Sequence, residues 1–268
     1  MTSPAAAGQR QSRVQVARLG FDPLTEREVI ETVREGWASS RGGSIIPVNV
    51  DVARMAARQP GLAALIDAGS LVVADGMPLV WASRAAGRAL PERVTGSSLV
   101  FSLSEAAAAD GRSVYLLGGA EGVPDAAAAA LCTRFGGLRV AGTDSPPPGF
   151  DAAEDGVRRA IGGILAAAPD LVFVGLGFPR QERLIERLRQ ELPGSWYLAC
   201  GGGITMAAGV TRRAPPLVQR LGLEWVHRLA LEPRRLARRY LRDDLPFAVS
   251  MLARTAAARL TGRPPARP

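Results

Sequence analysis

Short apolar runs alternate with longer amphipathic stretches along most of the chain. Six runs of four or five residues are predicted as strands, at 44–48, Leu71–Ala74, Ser113–Leu117, 138–141, Leu171–Val174 and Trp196–Ala199. Eight stretches of ten or more residues are predicted as helices, at 26–39, 52–68, 77–86, Gly96–Ala109, 124–135, 153–168, 181–192 and 215–231. Strands that alternate with helices of this length predict an α/β fold, a Rossmann-like parallel sheet with helices on both faces.

The same pattern divides the chain into four parts. Residues 1–13 and 262–268 are small, contain proline and lack periodicity, which predicts disordered tails. Residues 14–209 form the α/β core, and residues 210–261 form an arginine-rich helical appendage. Within the appendage, residues 246–260 are amphipathic, which fits a helix in a lipid interface and fits ordinary core packing almost as well.

Composition bounds the class of protein. The 268 residues are 47% apolar, which is enough to bury a full core. Cys132 and Cys200 are far apart and have no metal-ligand spacing, so neither a disulfide framework nor a zinc site is indicated. The amino end has no apolar signal segment, and no run of 18 apolar residues occurs, so we expect a cytoplasmic protein that does not span a membrane.

Charge is concentrated near the carboxyl end. All 33 basic residues are arginine, and residues 212–268 contain 13 of them against four acids. Residues 1–211 contain 20 arginines and 21 acids. A solvated helix face explains part of this excess, but the guanidinium fork also suits oxyanions. The asymmetry therefore indicates a nucleic acid, an anionic lipid or a diphosphate substrate as partner.

Glycines follow three of the predicted strands, at 118–119, at 175 and 177, and at 201–203. In parallel sheets, ligands bind beyond the carboxyl ends of the strands, where glycine turns let backbone N–H groups approach a phosphate or a sugar. Gly119 and Gly177 are therefore candidate ligand contacts. Neither a dinucleotide fingerprint nor a Walker A loop is present, and tight packing without a ligand explains any single turn equally well.

Four segments carry a resemblance to a known family. They are VNVD (48–51), ADGMPLVWASRAAGRALPERVTG (74–96), VGLGFPRQE (174–182) and GGGITMAAGVTRRAPPLVQRLGLEWVHRLALEPRRLARRY (201–240). In combination they resemble the WecG/TagA/CpsF family of bacterial glycosyltransferases over roughly residues 14–240. The resemblance implies an inverting transfer of an N-acetylmannosamine-type sugar, or a related hexose, from a UDP-sugar to an undecaprenyl-diphosphate-linked acceptor in cell-surface polysaccharide or teichoic acid synthesis.

Asp75 is the candidate catalytic residue. It follows a predicted strand and precedes Gly76, and it matches the aspartate of the family's A-D-G motif, which the resemblance implies is the catalytic base. An inverting displacement needs one base to take the proton of the acceptor hydroxyl. Capping of the next helix is the alternative role for an aspartate at such a turn.

Asn49 is a candidate substrate contact just past the first predicted strand. The resemblance aligns it with the asparagine of a T-x-N motif, with Pro47 where the family has threonine. Asp51 is either a second acid or the cap of the helix at 52–68. A second departure lies near Gly203, where Ile204 and Thr205 replace the family's phenylalanine and aspartate, so the preferred sugar is left open.

Three further substrate contacts are expected in the core. Arg93 would pair with a diphosphate, or else form an ordinary ion pair on a loop. Gln181 and Glu182 begin a predicted helix at the end of a strand, where an amide and a carboxylate can contact uracil, ribose or sugar hydroxyls. For Gln181, a plain role at the start of the helix is the alternative.

The sequence has no D-x-D motif and no acidic or histidine cluster, so we expect no metal and no other cofactor. The leaving diphosphate would then need arginines. Arg228, Arg235 and Arg238 match family positions in the appendage, and the last two are spaced to share a helix face. The appendage would also contact the inner face of the cytoplasmic membrane, which makes the protein a peripheral one.

Two functions from other classes compete with an enzyme. A nucleic-acid-binding α/β protein would use the basic segment as an arm, and a non-catalytic membrane adaptor would use it as an anchor. The arrangement of aromatic and basic residues matches no known nucleic-acid reader, so we expect no nucleic-acid partner. The sequence leaves a homo-oligomer open.

Overall fold

The computed structural model describes residues 12–211, 214–215, 218, 224–231 and 233–261, without the side chains of 228, 235, 260 and 261. The eight strands are β1 Val14–Val16, β2 Leu19–Phe21, β3 Gly43–Val48, β4 Leu71–Ala74, β5 Ser113–Leu117, β6 Arg139–Asp144, β7 Leu171–Val174 and β8 Trp196–Ala199 within these residues. The helices of the first 211 residues are α1 Glu26–Ala38, α2 Val50–Arg58, α3 Pro60–Asp67, α4 Met77–Ala85, α5 Gly96–Ala109, α6 Val123–Arg134, α7 Glu154–Ala167, α8 Arg180–Glu191 and α9 Gly203–Ala207. A short 3-10 turn, Phe150–Ala152, precedes α7.

The C-terminal segment, which we define as residues 224–231 and 233–261, is helical throughout. It consists of α10 Glu224–Leu231, α11 Pro233–Ala237, a π-helical stretch Arg238–Asp244 that we call the π segment, and α12 Leu245–Thr261. The predicted C-terminal helical part is therefore present.

Six strands form one parallel sheet in the order β4-β3-β8-β7-β5-β6. Alternate side chains of each strand enter two separate cores. The first core contains Val48 and Val174 and is covered by α2, α3, α4, α7, α8 and α12, while the second contains Ile45 and Phe173 and is covered by α1, α5, α6 and α9. This confirms the predicted α/β class, a Rossmann-like sheet with helices on both faces.

Local signals explain where several helices begin. Thr25 and Glu28 form a reciprocal capping box at the start of α1. Asn49 and Thr95 accept backbone N–H groups at the starts of α2 and α5. Pro60 breaks the predicted helix at 52–68 into α2 and α3, because proline has no N–H to donate and is favoured in the first turn of a new helix.

Two other predicted elements differ from the structure by more than a residue or fall partly outside it, and one hairpin was not predicted. The strand predicted at 138–141 runs from Arg139 to Asp144. Of the helix predicted at 215–231, residues 216–217 and 219–223 lie outside the described residues, and its described end is α10. The antiparallel β1–β2 hairpin was missed. It lies beside edge strand β4, where Asp22 exchanges two hydrogen bonds with the backbone of Val72 (2.8 and 2.7 Å) and so shields that edge.

The last helix belongs to the body of the protein. α12 packs on α4, and its Ala248 and Met251 are buried, Met251 within the first core. The C-terminal segment is therefore held against the sheet domain by apolar packing as well as by charge. Among the helices of the described residues, none is both long enough and apolar enough to cross a lipid bilayer.

Candidate active site

A cavity of about 630 Å³ lies between the carboxyl ends of the central strands and the C-terminal segment. Its floor is formed by the residues that follow β3, β4, β7 and β8. Helix α2, which follows β3, packs on the first core, whereas α9, which follows the neighbouring strand β8, packs on the second. Diverging connections of this kind open a crevice at the strand ends, which is where open α/β sheets bind ligands.

Asn49 and Asp75 lie side by side on this floor. They directly follow the paired residues Val48 and Ala74 of β3 and β4, and the Asp75 N–H donates to the Val48 carbonyl (2.8 Å). The Asn49 side-chain oxygen caps α2 by accepting the Val52 N–H (3.0 Å), so the side chain is held in place. The N-cap of α4 is Gly76, so Asp75 does not occupy the capping position that the sequence offered as its alternative.

Gln181 joins two of the glycine turns. Its side-chain oxygen accepts the N–H groups of Gly177 and Gly201 (3.2 Å each), and its amide nitrogen donates to Glu182 (2.8 Å). Gln181 is buried and lines the cavity. These bonds show that Gln181 fixes the turns after β7 and β8 relative to each other.

Glu182 lies behind Gln181 and is only 3% exposed. One of its carboxyl oxygens accepts from Gln181, and the other is buried with no hydrogen-bond partner. Loss of hydration raises the pKa of Glu182 to about 7, against the lowering effect of its hydrogen bonds. Glu182 therefore supports the floor of the cavity from beneath and does not line it.

Arg93 connects the core to the C-terminal segment across the cavity. Its guanidinium donates to the Glu224 carboxylate of α10 (3.0 Å), and both side chains are largely buried and line the cavity. The next residue, Val94, donates its N–H to the Ala74 carbonyl, which places Arg93 near Asp75. Arg93 therefore forms the ion pair that the sequence offered as its alternative role. Its partner, Glu224, also lines the cavity.

A second group of charges links α2 to the π segment. Arg54 bonds both Asp51 and Asp244, the latter at 3.0 Å, and Arg239 approaches Asp51 at 3.7 Å. Burial, followed by repulsion from Asp51, raises the pKa of Asp244 to about 6. The cap of α2 is Asn49, so the capping role considered for Asp51 is wrong and its oxygens pair with arginines instead.

An aromatic pair forms part of the cavity wall. The rings of Trp225 and Tyr240 meet edge to face with centroids 6.3 Å apart, and the Arg239 guanidinium lies 4.8 Å from the centre of the Tyr240 ring. Stacking of this kind holds a planar cation in a defined orientation.

Other predicted site residues lie elsewhere. Gly119 follows β5 and does not line the cavity, and Arg238 is exposed and also does not line it. The side chains of Arg228 and Arg235 lie outside the described residues. The structure brings together Asn49, Asp75, Arg93, Gly177 and Gln181 at one cavity.

The positions at which the chain departs from the family motifs divide between cavity and core. Pro47 and Thr205 line the cavity, whereas Ile204 is buried in the second core. Cys200 also lines the cavity, and burial raises the pKa of its thiol to about 12, so the thiol stays protonated.

Sequence reasoning missed Arg54, Glu224, Arg239 and Asp244. Their pairing depends on contacts between α2, or the loop that joins α4 to α5, and a segment more than 130 residues later. The arginine excess near the carboxyl end was the available signal, but it could not distinguish Arg239 from its neighbours. Among the described residues, no three histidine, cysteine, aspartate or glutamate side chains are grouped so that they could hold a metal ion.

The chain is similar to proteins of known activity. Three relatives are N-acetylglucosaminyldiphosphoundecaprenol N-acetyl-beta-D-mannosaminyltransferases from Staphylococcus aureus strains NCTC 8325 / PS 47, COL and MRSA252. Each is 28% identical to this chain over 229 residues, which cover 85% of this chain and 88% of the relative. The model of the glycosyl transferase WecG/TagA/CpsF family matches residues 14–261. The resemblance of the four motifs is confirmed: the chain is a glycosyltransferase, and it belongs to the WecG/TagA/CpsF family.

Proposed function

We propose that this enzyme transfers an N-acetylmannosaminyl group, or a closely related hexosyl group, from a UDP-sugar to a lipid-diphosphate-linked N-acetylglucosamine. The names of the Staphylococcus aureus relatives support the transferred sugar and the acceptor. The observation that carries the proposal is the position of Asp75, beside Asn49 in the crevice that the arginine-bearing C-terminal segment covers. Family membership makes the chain an enzyme. This speaks against the two competing functions, a nucleic-acid-binding protein and a non-catalytic membrane adaptor.

Asp75 acts as general base in the proposed reaction. Its carboxylate takes the proton of the acceptor hydroxyl while the hydroxyl oxygen forms a bond to the anomeric carbon of the donor sugar. The bond from that carbon to the diphosphate oxygen breaks at the same time, and the electron pair leaves with UDP. Attack on the face opposite the leaving group inverts the anomeric centre.

Arginines stabilise the departing diphosphate in this proposal, and no metal ion is required. Arg93 lines the same cavity as Asp75, and its ion pair with Glu224 holds its guanidinium at the cavity wall. We propose Arg228 and Arg235, and also Arg238 although its exposed side chain lies outside the cavity wall, as further contacts. All three match family positions on the segment that covers the cavity. Donors fixed in advance around developing charge need little rearrangement when the bond breaks.

Gly119, Gly177, Gln181 and Glu182 remain proposed contributors to substrate binding. The structure supports the middle two as parts of the cavity wall. For Glu182 it supports an indirect role, because that side chain holds Gln181 from behind.

Membrane contact is proposed through the C-terminal segment, at the inner face of the cytoplasmic membrane. Among the described residues, the large apolar side chains that remain exposed lie almost entirely near the carboxyl end: Val210, Trp225, Val226, Leu231, Leu241, Leu245 and Val249, with Trp81 on α4. Helix α4, which carries Trp81, packs on α12 of the C-terminal segment. Grouped apolar side chains beside arginines suit an anionic lipid surface.

The proposal is tested by UDP release from the purified chain. UDP-N-acetylmannosamine, its uronic acid and UDP-glucose would each be mixed with an N-acetylglucosaminyl-diphospho-lipid, with and without EDTA. We expect acceptor-dependent release with one of these donors and no effect of EDTA. Loss of release in EDTA would refute the metal-independent mechanism, and no release with any donor would refute the transferase proposal.

A further inference from the structure

Arg239 is a cavity arginine that the sequence did not single out. It lies in the π segment and lines the cavity, whereas its neighbour Arg238 is exposed and lies outside the cavity wall. The Nε atom of Arg239 is buried and has no hydrogen-bond partner. A buried N–H group without an acceptor is costly, so the described residues do not fully satisfy the hydrogen-bonding groups of Arg239.

The charges around Arg239 leave its guanidinium only loosely engaged. Asp51 is 3.7 Å from one of its terminal nitrogens, which is beyond hydrogen-bond distance. Asp51 is already bonded by Arg54, which also bonds Asp244 at 3.0 Å. The Asp51 carboxylate therefore keeps a cationic partner when Arg239 moves away from it.

Arg93 and Arg239 are the two arginines among the described cavity-lining residues. They differ in how closely they are paired with a carboxylate. Arg93 holds Glu224 at 3.0 Å within a largely buried pair. Arg239 is 38% exposed at its side chain and is stacked on Tyr240. The Tyr240 ring is in turn held by Trp225, so the plane of the Arg239 guanidinium is constrained while its edge stays available.

We propose that Arg239 binds the diphosphate of a substrate, as the second guanidinium of the cavity in addition to Arg93. The inference rests on the proposed function for the identity of the diphosphate, which belongs to either the uridine nucleotide or the lipid-linked acceptor. On binding, the Arg239 fork exchanges its long contact with Asp51 for two hydrogen bonds to phosphate oxygens. Bidentate, charge-assisted bonds of this type are the strong ones in proteins.

The test compares Arg239→Ala and Arg239→Lys with the wild type, using Arg242→Ala as the matched control. Arg242 lies in the same π segment and is exposed, and it does not line the cavity. UDP and inorganic pyrophosphate would be titrated calorimetrically, and KM would be measured for donor and acceptor separately. Thermal melting of each variant would report folding, which Arg239→Ala should retain because Arg54 still pairs with Asp51.

We expect Arg239→Ala to weaken diphosphate binding about 10- to 100-fold, the loss expected for a charge-assisted pair of bonds. Arg239→Lys should recover only part of this loss, because an ammonium group cannot bind in the same bidentate way. Arg242→Ala should behave as the wild type. Weaker UDP binding would assign Arg239 to the donor, and a raised acceptor KM with unchanged UDP binding would assign it to the acceptor.

The inference and the proposed function fail in different ways. An active wild type in which Arg239→Ala leaves UDP affinity, pyrophosphate affinity and both KM values unchanged would overturn the inference alone. A wild type without transferase activity, in which Arg239→Ala still weakens pyrophosphate binding about tenfold or more, would refute the proposed function and support the anion site at Arg239.

Discussion

At the scale of single residues, Gln181 and Glu182 show how two adjacent side chains divide their roles. Gln181 lines the cavity, and its side-chain oxygen accepts two backbone N–H groups, so it holds the glycine turns in place. Glu182 contributes from a buried position and carries an oxygen without a partner. Burial of a carboxyl group favours its neutral form, which makes the stability of this region depend on pH.

Glu182→Gln should make the protein more stable in alkaline solution. The folded-state pKa of about 7 lies above the ordinary value of 4.5, so the folded state holds a proton that the unfolded state releases. The stability that this proton provides is fully present below pH 4.5 and is lost as the pH rises through 7. The difference between the folded-state and the ordinary pKa corresponds to a loss of up to about 3 kcal/mol from the free energy of unfolding.

Thermal melting between pH 5 and 9 checks this expectation. The Tm of Glu182→Gln should approach that of the wild type at pH 5 and exceed it at pH 8 to 9. Glu186→Gln, at an exposed position of the same helix, serves as control and should follow the wild type throughout. A constant Tm difference across the range would show that Glu182 does not titrate as described.

At the scale of elements, a network of ion pairs attaches the C-terminal segment to helix α2. Arg54 of α2 binds two carboxylates, Asp51 on its own helix and Asp244 at the end of the π segment. Removing the cation leaves two partly buried carboxylates facing each other, with Arg239 as the nearest counter-charge. Breaking a buried ion pair by removing one partner is much more costly than losing an exposed pair.

Arg54→Ala should therefore loosen the π segment and α12 while the sheet stays folded. We expect a cost of roughly 2 kcal/mol, less than for a fully buried pair because the network is partly exposed. Hydrogen exchange should become faster in residues 238–261 and stay unchanged in β3 and β8. Arg58→Ala, at an exposed position on the same helix, is the control, and equal effects of the two substitutions would contradict a specific role for Arg54.

The sequence predicted most elements correctly and failed where its local signals were weak. Each strand of the parallel sheet was placed within a few residues, because buried parallel strands appear as continuous apolar runs between helices. The β1–β2 hairpin was missed because its strands have three residues each and its turn uses Ala17 and Arg18 at positive φ, without the usual glycine or asparagine.

The candidate site was predictable only in part for a similar reason. Asn49 and Asp75 follow adjacent strands, so sequence order and sheet topology together place them at one edge. Glu224 and Arg239 reach the same cavity through tertiary contacts of the C-terminal segment, and nothing in local periodicity marks them. Charge asymmetry indicated the right segment without indicating the right side chains.

At the scale of the whole molecule, substrate binding and membrane contact are expected on the same side. The cavity is roofed by the segment that also carries the exposed apolar side chains, including Trp225, which belongs to both sets. A lipid-linked acceptor could then reach Asp75 while its chain stays in the bilayer. The second core and its helices face the other way.

Vesicle binding tests this orientation. The double substitution Leu241→Asp with Val249→Asp should weaken binding to phosphatidylglycerol vesicles about tenfold or more, since it removes two exposed apolar side chains and adds repulsive charge. Ala129→Asp, exposed on α6 at the other face of the sheet, should leave cosedimentation unchanged. Equal binding by the wild type and the double variant would place the membrane contact elsewhere.

The central claim is that Asp75 takes the acceptor proton in the cavity beneath the C-terminal segment. Turnover and donor affinity of Asp75→Asn test it most directly, since the amide keeps the shape of the side chain and cannot accept the proton. We predict a fall in kcat of at least about 100-fold with a Kd for the UDP-sugar close to that of the wild type, while the exposed Asp67→Asn keeps full activity. Near-normal turnover by Asp75→Asn would contradict the claim.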